Sequence, residues 1–138
     1  MTDLVRNEVQ EKLINGVFNC PKEFTLSMFS GKWKINIIYH LGKEGAYYFS
    51  EIERLLPAAS HKELSEKLKE LAADGLVKRT EVKDQRIKVS YSLTPLGESL
   101  LPIVNAMYDW GTKRLRELKL DDKATFGLGE VKRPASEK

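Results

Sequence analysis

One cysteine, two histidines and a scatter of serines and lysines are the residues in this 138-residue chain best suited to chemistry. Cys20 stands before Pro21, with Lys22 two positions on. A thiol reacts as its thiolate, and a nearby ammonium or the amide end of a helix favours that form. Cys20 is therefore a candidate redox or electrophile sensor, although a free cysteine is also commonly an inert, buried apolar residue. A Cys–His nucleophile would have to draw on His40 or His61. His40 falls among the apolar residues that follow Trp33, which favours a structural role over catalysis with Cys20. The sequence has no glycine-rich phosphate loop, HExxH or paired CxxC. Enzyme, metal site and cofactor are all unexpected on that basis.

The remaining polar residues of interest cluster on one stretch, Ser60 to Leu76. Ser60 followed by Glu63 fits a capping box, and Gly75 suits the left-handed residue after a helix end. Leu64, Leu68 and Leu71 share one stripe of that helix, and Lys62, Ser65, Glu66, Lys69 and Ala73 lie opposite. Such a helix is anchored on its leucine side and offers lysines on the other. On its own it could be an ordinary surface helix, but its flanks add meaning. Upstream, Phe49 to Pro57 predicts a shorter helix with Ser50 as cap, Glu53 three residues on, and Ile52, Leu55 and Leu56 on one face. Pro57 should end it. Two helices joined by a few residues make a helix-turn-helix. Downstream, residues 77–83 and 86–94 predict two strands around a polar turn at Asp84 and Gln85. The second strand alternates Ile87, Val89, Tyr91 and Leu93 against Lys88, Ser90 and Ser92. The expected fold is therefore mainly α with a small antiparallel β wing, a winged helix-turn-helix.

Hydrophobic content of 41% and charged content of 31% fit one globular domain with a real core. No apolar run is long enough to span a bilayer, the first ten residues lack the apolar core of a signal peptide, and one cysteine cannot form an internal disulfide. These features predict a cytoplasmic chain with no membrane association. Net charge is +3, and residues 78–90 alone carry Lys78, Arg79, Lys83, Arg86 and Lys88 against Glu81 and Asp84. A basic hairpin beside a lysine-bearing helix is the electrostatic footprint of a nucleic-acid binder, though edge strands also carry lysines simply to stay soluble.

In chain order, residues 4–15 predict a helix with Val5, Val9, Leu13 and Ile14 on one stripe and Gly16 as stop. Residues 24–41 predict a helix in two pieces. Ser30-Gly31 interrupts it, Ser30 caps the second piece, and Trp33, Ile37, Ile38 and Leu41 form the central core stripe. Ala46 to Phe49 suits a short third strand. Thr94 and Pro95 open a last helix running to about Leu118, in which Pro102 should remove one ladder hydrogen bond and bend the rod near Glu98 to Pro102. That helix holds more apolar residues than one face can bury, which suggests either a subunit interface or a wide buried arc. The expected division is a winged-helix DNA-binding and dimerisation domain over 1–118 and a polar, mobile tail over 119–138.

The pattern resembles the HxlR-type regulators, a branch of winged-helix transcription factors related to the MarR group. The matching pieces are Cys20-Pro21, Gly31-Lys32-Trp33, Phe49-Ser50-Glu51-Ile52, Leu64, Leu68, Leu71, Asp74-Gly75-Leu76-Val77 and Arg79. They continue through Val89, Tyr91-Ser92-Leu93-Thr94, Gly97, Leu100, Pro102 and Trp110. The resemblance implies a homodimer through the terminal helices, with the helix at 60–74 in the major groove of double-stranded DNA and the wing on the backbone or minor groove. Ser60 and Lys62 match the start of the family's recognition helix, and Lys88 a basic wing residue. The departures are Ala59 for a larger apolar residue, Arg86 for proline, Ser90 for glutamate and Tyr48 for arginine. The resemblance also implies that Cys20 matches the sensing cysteine of some members.

The expected DNA contacts are thus Ser60, His61, Lys62, Ser65, Glu66 and Lys69 on the helix and Lys83, Arg86 and Lys88 on the wing. The lysines would hold phosphates, and Ser65 or Glu66 could read base edges. His61 could instead serve the turn. A small-molecule or electrophile effector is a further expected partner, lodged near Trp33, Tyr47 and the dimer helices. The alternative function is a winged helix that docks an acidic protein, because fold alone does not decide function.

Overall fold

The structure, a computed structural model, describes residues 5–83 and 87–131. Its elements are α1 (Asn7–Ile14), α2 (Pro21–Phe29), α3 (Lys32–Glu44), β1 (Tyr47–Tyr48), α4 (Phe49–Leu55), α5 (His61–Ala73), β2 (Val77–Lys83), β3 (Ile87–Leu93), α6 (Pro95–Glu98) and α7 (Leu101–Glu117). The sheet order is β1-β3-β2, antiparallel throughout, with Val77 opposite Leu93 and Tyr47 opposite Tyr91. This is the expected winged helix-turn-helix, α4 and α5 being its two helices and β2–β3 its wing.

The core forms where α3, α5 and the sheet meet. Leu64, Leu68 and Leu71 are fully buried, as are Ile37 and Ile38 of α3. The leucine spacing therefore does what a 3.6-residue period should: one face goes inward. Both ends of α5 are closed. Ser60 Oγ accepts the Glu63 N–H at 3.0 Å, and Glu63 Oε1 accepts the Ser60 N–H at 2.9 Å. At the other end the Leu76 N–H reaches the Leu71 carbonyl and the Gly75 N–H that of Ala72, a Schellman closure. Gly75 supplies the positive φ of +77° which that closure requires. Leu76 is buried beside it.

A buried ion cluster ties α5 to two other helices. Arg6, the residue before α1, gives its backbone N–H to Asp74 Oδ1 at 3.0 Å and its Nε to Oδ2 at 3.0 Å. Lys34 of α3 reaches Glu70 at 2.7 Å, and Arg6 lies 3.6 Å from the same carboxylate. Burial pushes the Glu70 carboxyl up, but Lys34, Lys67 and Arg6 together hold it below its ordinary value. Arg6 and Lys34 are far in sequence from Glu70 and Asp74, so local periodicity does not connect them.

Several local expectations need correction. Ser30 caps nothing: α3 starts after Gly31 without a side-chain cap, and Ser30 instead ends α2, its N–H donating to Leu26. Helix α2 begins at Pro21 rather than Phe24, because proline's fixed φ suits a first helical position. Ser50 lies inside α4, whose Glu51 accepts the Tyr48 N–H at 2.8 Å. In α1 only Val9 is buried, while Leu13 and Ile14 face out. The last helix breaks at Ser99–Leu100, within the expected 98–102 bend, but Pro102 is not the cause: it falls in the first turn of α7, where an amide has no intrahelical partner to lose. Thr94 does cap α6, accepting from the Gly97 N–H at 3.0 Å. The turn residues Asp84 and Gln85 lie outside the described residues. Beyond α7 the polar stretch follows an irregular path, and within it Gly129 donates to the Leu55 carbonyl at 2.8 Å.

The Arg6–Asp74 pair generates the first prediction. Asp74 has a side-chain exposure of 0% and Arg6 of 14%. Asp74→Ala removes the fully buried carboxylate that takes the Arg6 backbone N–H and Nε, and urea unfolding should show a loss of about 3 kcal/mol. A loss within experimental error would mean the pair does not hold the fold.

Candidate nucleic-acid interface

The leucine anchor decides which α5 residues face solvent. His61, Lys62, Glu66 and Lys69 are exposed and Ser65 is half-buried, all away from the core. Ser60 is exposed too, but its oxygen is committed to the Glu63 amide, so it serves the helix start before any ligand. The Ser60 N–H is in turn the main reason the Glu63 carboxyl sits below its ordinary value. Lys67, absent from the expected contacts, leans toward Glu70 at 3.8 Å and belongs with the ion cluster.

His61 takes part in a local brace. Its Nδ1 lies 2.8 Å from Glu53 Oε2 of α4, and its ring packs edge-on to Phe49 with centroids 4.8 Å apart. The brace spans the turn of the helix-turn-helix and joins the start of α5 to α4. Of the two readings, the turn role thus has visible partners. Glu53 and Phe49 were missed as functional neighbours; the only sequence signal was an acidic residue eight positions before a histidine.

On the wing, Lys83 and Lys88 are exposed at the far half of the hairpin. Lys88 Nζ lies 5.2 Å from the centroid of the Tyr48 ring, a cation–π contact. Arg79 pairs with Glu81 at 3.4 Å. Arg86 lies outside the described residues. Helix α5 packs directly on β2, so the lysine face and the basic hairpin belong to one continuous unit.

Cys20 is the N-cap residue of α2 and is partly exposed. Lys22 Nζ stands 3.0 Å from its Sγ. That contact, first among the causes, lowers the thiol's pKa from its ordinary 9.0. His40 is buried on α3, 3.1 Å from Glu44 and edge-on to Tyr39, a structural placement as read from sequence. Among the described residues no group of three His, Cys, Asp or Glu side chains could hold a metal, and no helix is long and apolar enough to cross a membrane. Helix α7 leaves Ile103, Met107, Tyr108 and Trp110 exposed, Trp110 at 71%. The first, second and fourth join Pro102 and Ala106 in one shallow apolar groove.

Comparison with known proteins agrees with this architecture. Residues 28–119 match the HxlR-like helix-turn-helix family. The chain is 47% identical over 91 residues to the HTH-type transcriptional regulator YdzF of Bacillus subtilis, covering 66% of this chain and 84% of that protein. Among solved structures it is similar to the redox regulator HypR in its oxidized form, at TM-score 0.65 and 42% identity over 68% of this chain and 96% of that one. It is also similar to the reduced transcriptional regulator YodB of B. subtilis, at TM-score 0.58 and 34% identity over 68% and 92%. Winged-helix architecture, family match and relatives agree, and the chain belongs to the HxlR-like family of helix-turn-helix transcriptional regulators.

Proposed function

We propose that this protein is a sequence-specific transcriptional regulator that binds a palindromic operator as a homodimer. The single observation that carries the reading is α5 itself: buried by Leu64, Leu68 and Leu71, closed at both ends, and exposing Lys62, Glu66 and Lys69 beside a basic wing. On this reading residues 1–118 form the DNA-binding and dimerisation unit. Lys62 and Lys69 hold phosphates, Ser65 and Glu66 face base edges, and Ser60 and His61 set the helix start at the groove. Lys83, Arg86 and Lys88 follow the backbone beside it. Two copies of α5 meet half-sites about one helical turn, roughly 34 Å, apart. The exposed face of α7 supplies the two-fold contact.

Cys20 adds a redox input. HypR is described as a redox regulator, and here a lysine at 3.0 Å favours the thiolate. With one cysteine per chain, oxidation by diamide removes two electrons and two protons from two Cys20 thiols and joins two chains. An electrophile would alkylate the same sulfur.

The deciding experiment is a mobility shift with the DNA upstream of the protein's own gene against a scrambled duplex. Preference for the native sequence supports the reading; no binding to either favours docking of an acidic protein partner instead. The double variant Lys62→Ala/Lys69→Ala should weaken binding and, with four phosphate contacts removed per dimer, reduce the slope of log affinity against log salt by about 3.6. An unchanged slope would remove both lysines from the phosphate contacts. Met107→Asp/Trp110→Asp should sediment as a monomer where the wild type is a dimer; a dimer that survives lies elsewhere. Because the thiol's pKa is lowered, the rate of Cys20 alkylation by iodoacetamide should reach half its maximum at a lower pH than that of a free cysteine thiol, and Lys22→Ala should move that midpoint upward. A midpoint insensitive to Lys22 sinks the thiolate argument.

A further inference from the structure

The family match ends at residue 119, yet the described chain continues to Val131 and returns to the helix-turn-helix. The return begins at the end of α7. Lys119 adopts a left-handed φ of 60°, and the Leu120 N–H reaches back to Leu115 at 2.9 Å, which reverses the chain. Ten residues on, the Gly129 N–H donates to the Leu55 carbonyl at 2.8 Å. Leu55 is the last residue of α4, and its carbonyl is one of those a helix end leaves without an intrahelical donor. Pro57, just beyond, has no N–H to offer the last turn. Gly129 thus provides a C-terminal cap for α4 from the far end of the chain.

The seat is shaped for that residue. A Cβ on Gly129 would collide with the Arg54 carbonyl oxygen and come within 3.4 Å of Pro57 Cδ. Two residues later Val131 packs against the core. By contrast, a Cβ on Gly127 meets nothing within 4 Å. A hydrogen bond, a backbone approach that excludes any side chain, and an apolar anchor coincide within three residues.

We infer that residues 120–131 form a strap that positions α4 for DNA binding, with Gly129 and Val131 as its positioning residues. The inference rests on the DNA-binding reading above. Helix α4 spans seven residues and depends on tertiary contacts for its order. It also supplies Glu53 and Phe49, the two partners of His61 at the start of α5. Loosening its end loosens that brace, so fewer molecules hold the binding-competent arrangement and apparent affinity falls by that fraction. The strap orders the reading unit without touching DNA.

The test uses full-length Gly129→Ala and Val131→Asp, with Gly127→Ala as control, under conditions where circular dichroism shows every variant folded. Hydrogen exchange should find the Gly129 amide protected in the wild type and the control. It should be unprotected in Gly129→Ala and Val131→Asp, where the amides of α4 also exchange faster. Operator affinity of those two variants should drop roughly fivefold, the scale of one lost hydrogen bond, with the salt slope unchanged because no phosphate contact is removed. Free-peptide exchange at Gly129 in the wild type overturns the inference, as does wild-type affinity in both strap variants. A reduced salt slope would overturn the positioning role in favour of direct contact. Wild-type protein with a protected Gly129 that binds no duplex removes the regulatory reading instead, which separates the two failures.

Discussion

The orientation of α5 depends on a carboxylate that water does not reach. The three leucines hold the helix to the core and choose its inward face, but hydrophobic contact is non-directional and fixes position along the axis less sharply. Asp74 is directional. With both carboxylate oxygens taking donors from Arg6, the end of α5 has one favourable position along its axis and one about it. The Lys34–Glu70 contact one turn earlier repeats the constraint from α3. Each charge is costly to bury alone, so the members hold one another in place. The leucines choose the face and the ion pairs its register, and together they give Lys62, Glu66 and Lys69 a surface with a defined pitch.

The same cluster gives the amino-terminal arm a grip on α5. Arg6 immediately precedes α1, whose Leu13 and Ile14 lie exposed and unburied by the rest of the chain. The loop after α1 leads to Cys20. Through Arg6 the segment between α1 and Cys20 is thereby joined to Asp74, the residue that follows α5.

What could be read from sequence followed from local period and local chemistry. The 64–68–71 leucine spacing, the Ser60–Glu63 box, Gly75, the alternation of 89, 91 and 93 and the cap at Thr94 each involve residues within one or two turns of one another. Where several candidates competed locally, the geometry chose differently. Ser30 and Ser50 both look like caps, but one falls at the end of α2 and the other within the first turn of α4. Pro102 looks like a helix breaker until the break itself, two residues earlier, turns it into a first-turn residue. Contacts across the chain left little mark in the sequence. Asp74 with Arg6, His61 with Glu53 and Gly129 with Leu55 all depend on tertiary placement.

Tyr48 shows how a departure from the family pattern can be read physically. The resemblance places an arginine at this position, beside a wing residue that is basic in both cases. Tyr48 pairs with Ser90 in the sheet, so Lys88 is its diagonal neighbour on the same face, within reach of a long side chain. An arginine there would add positive charge but repel Lys88. The tyrosine ring instead attracts the ammonium, with 5.2 Å between Nζ and centroid, and gives its flexible stem a shelf. The wing thereby gives up one cation and gains order in another. At an exposed site that contact contributes about 0.5–1 kcal/mol, comparable to the cost of immobilising part of a lysine side chain. The substitution therefore alters where the wing's charge is held more than how strongly the sheet is held together.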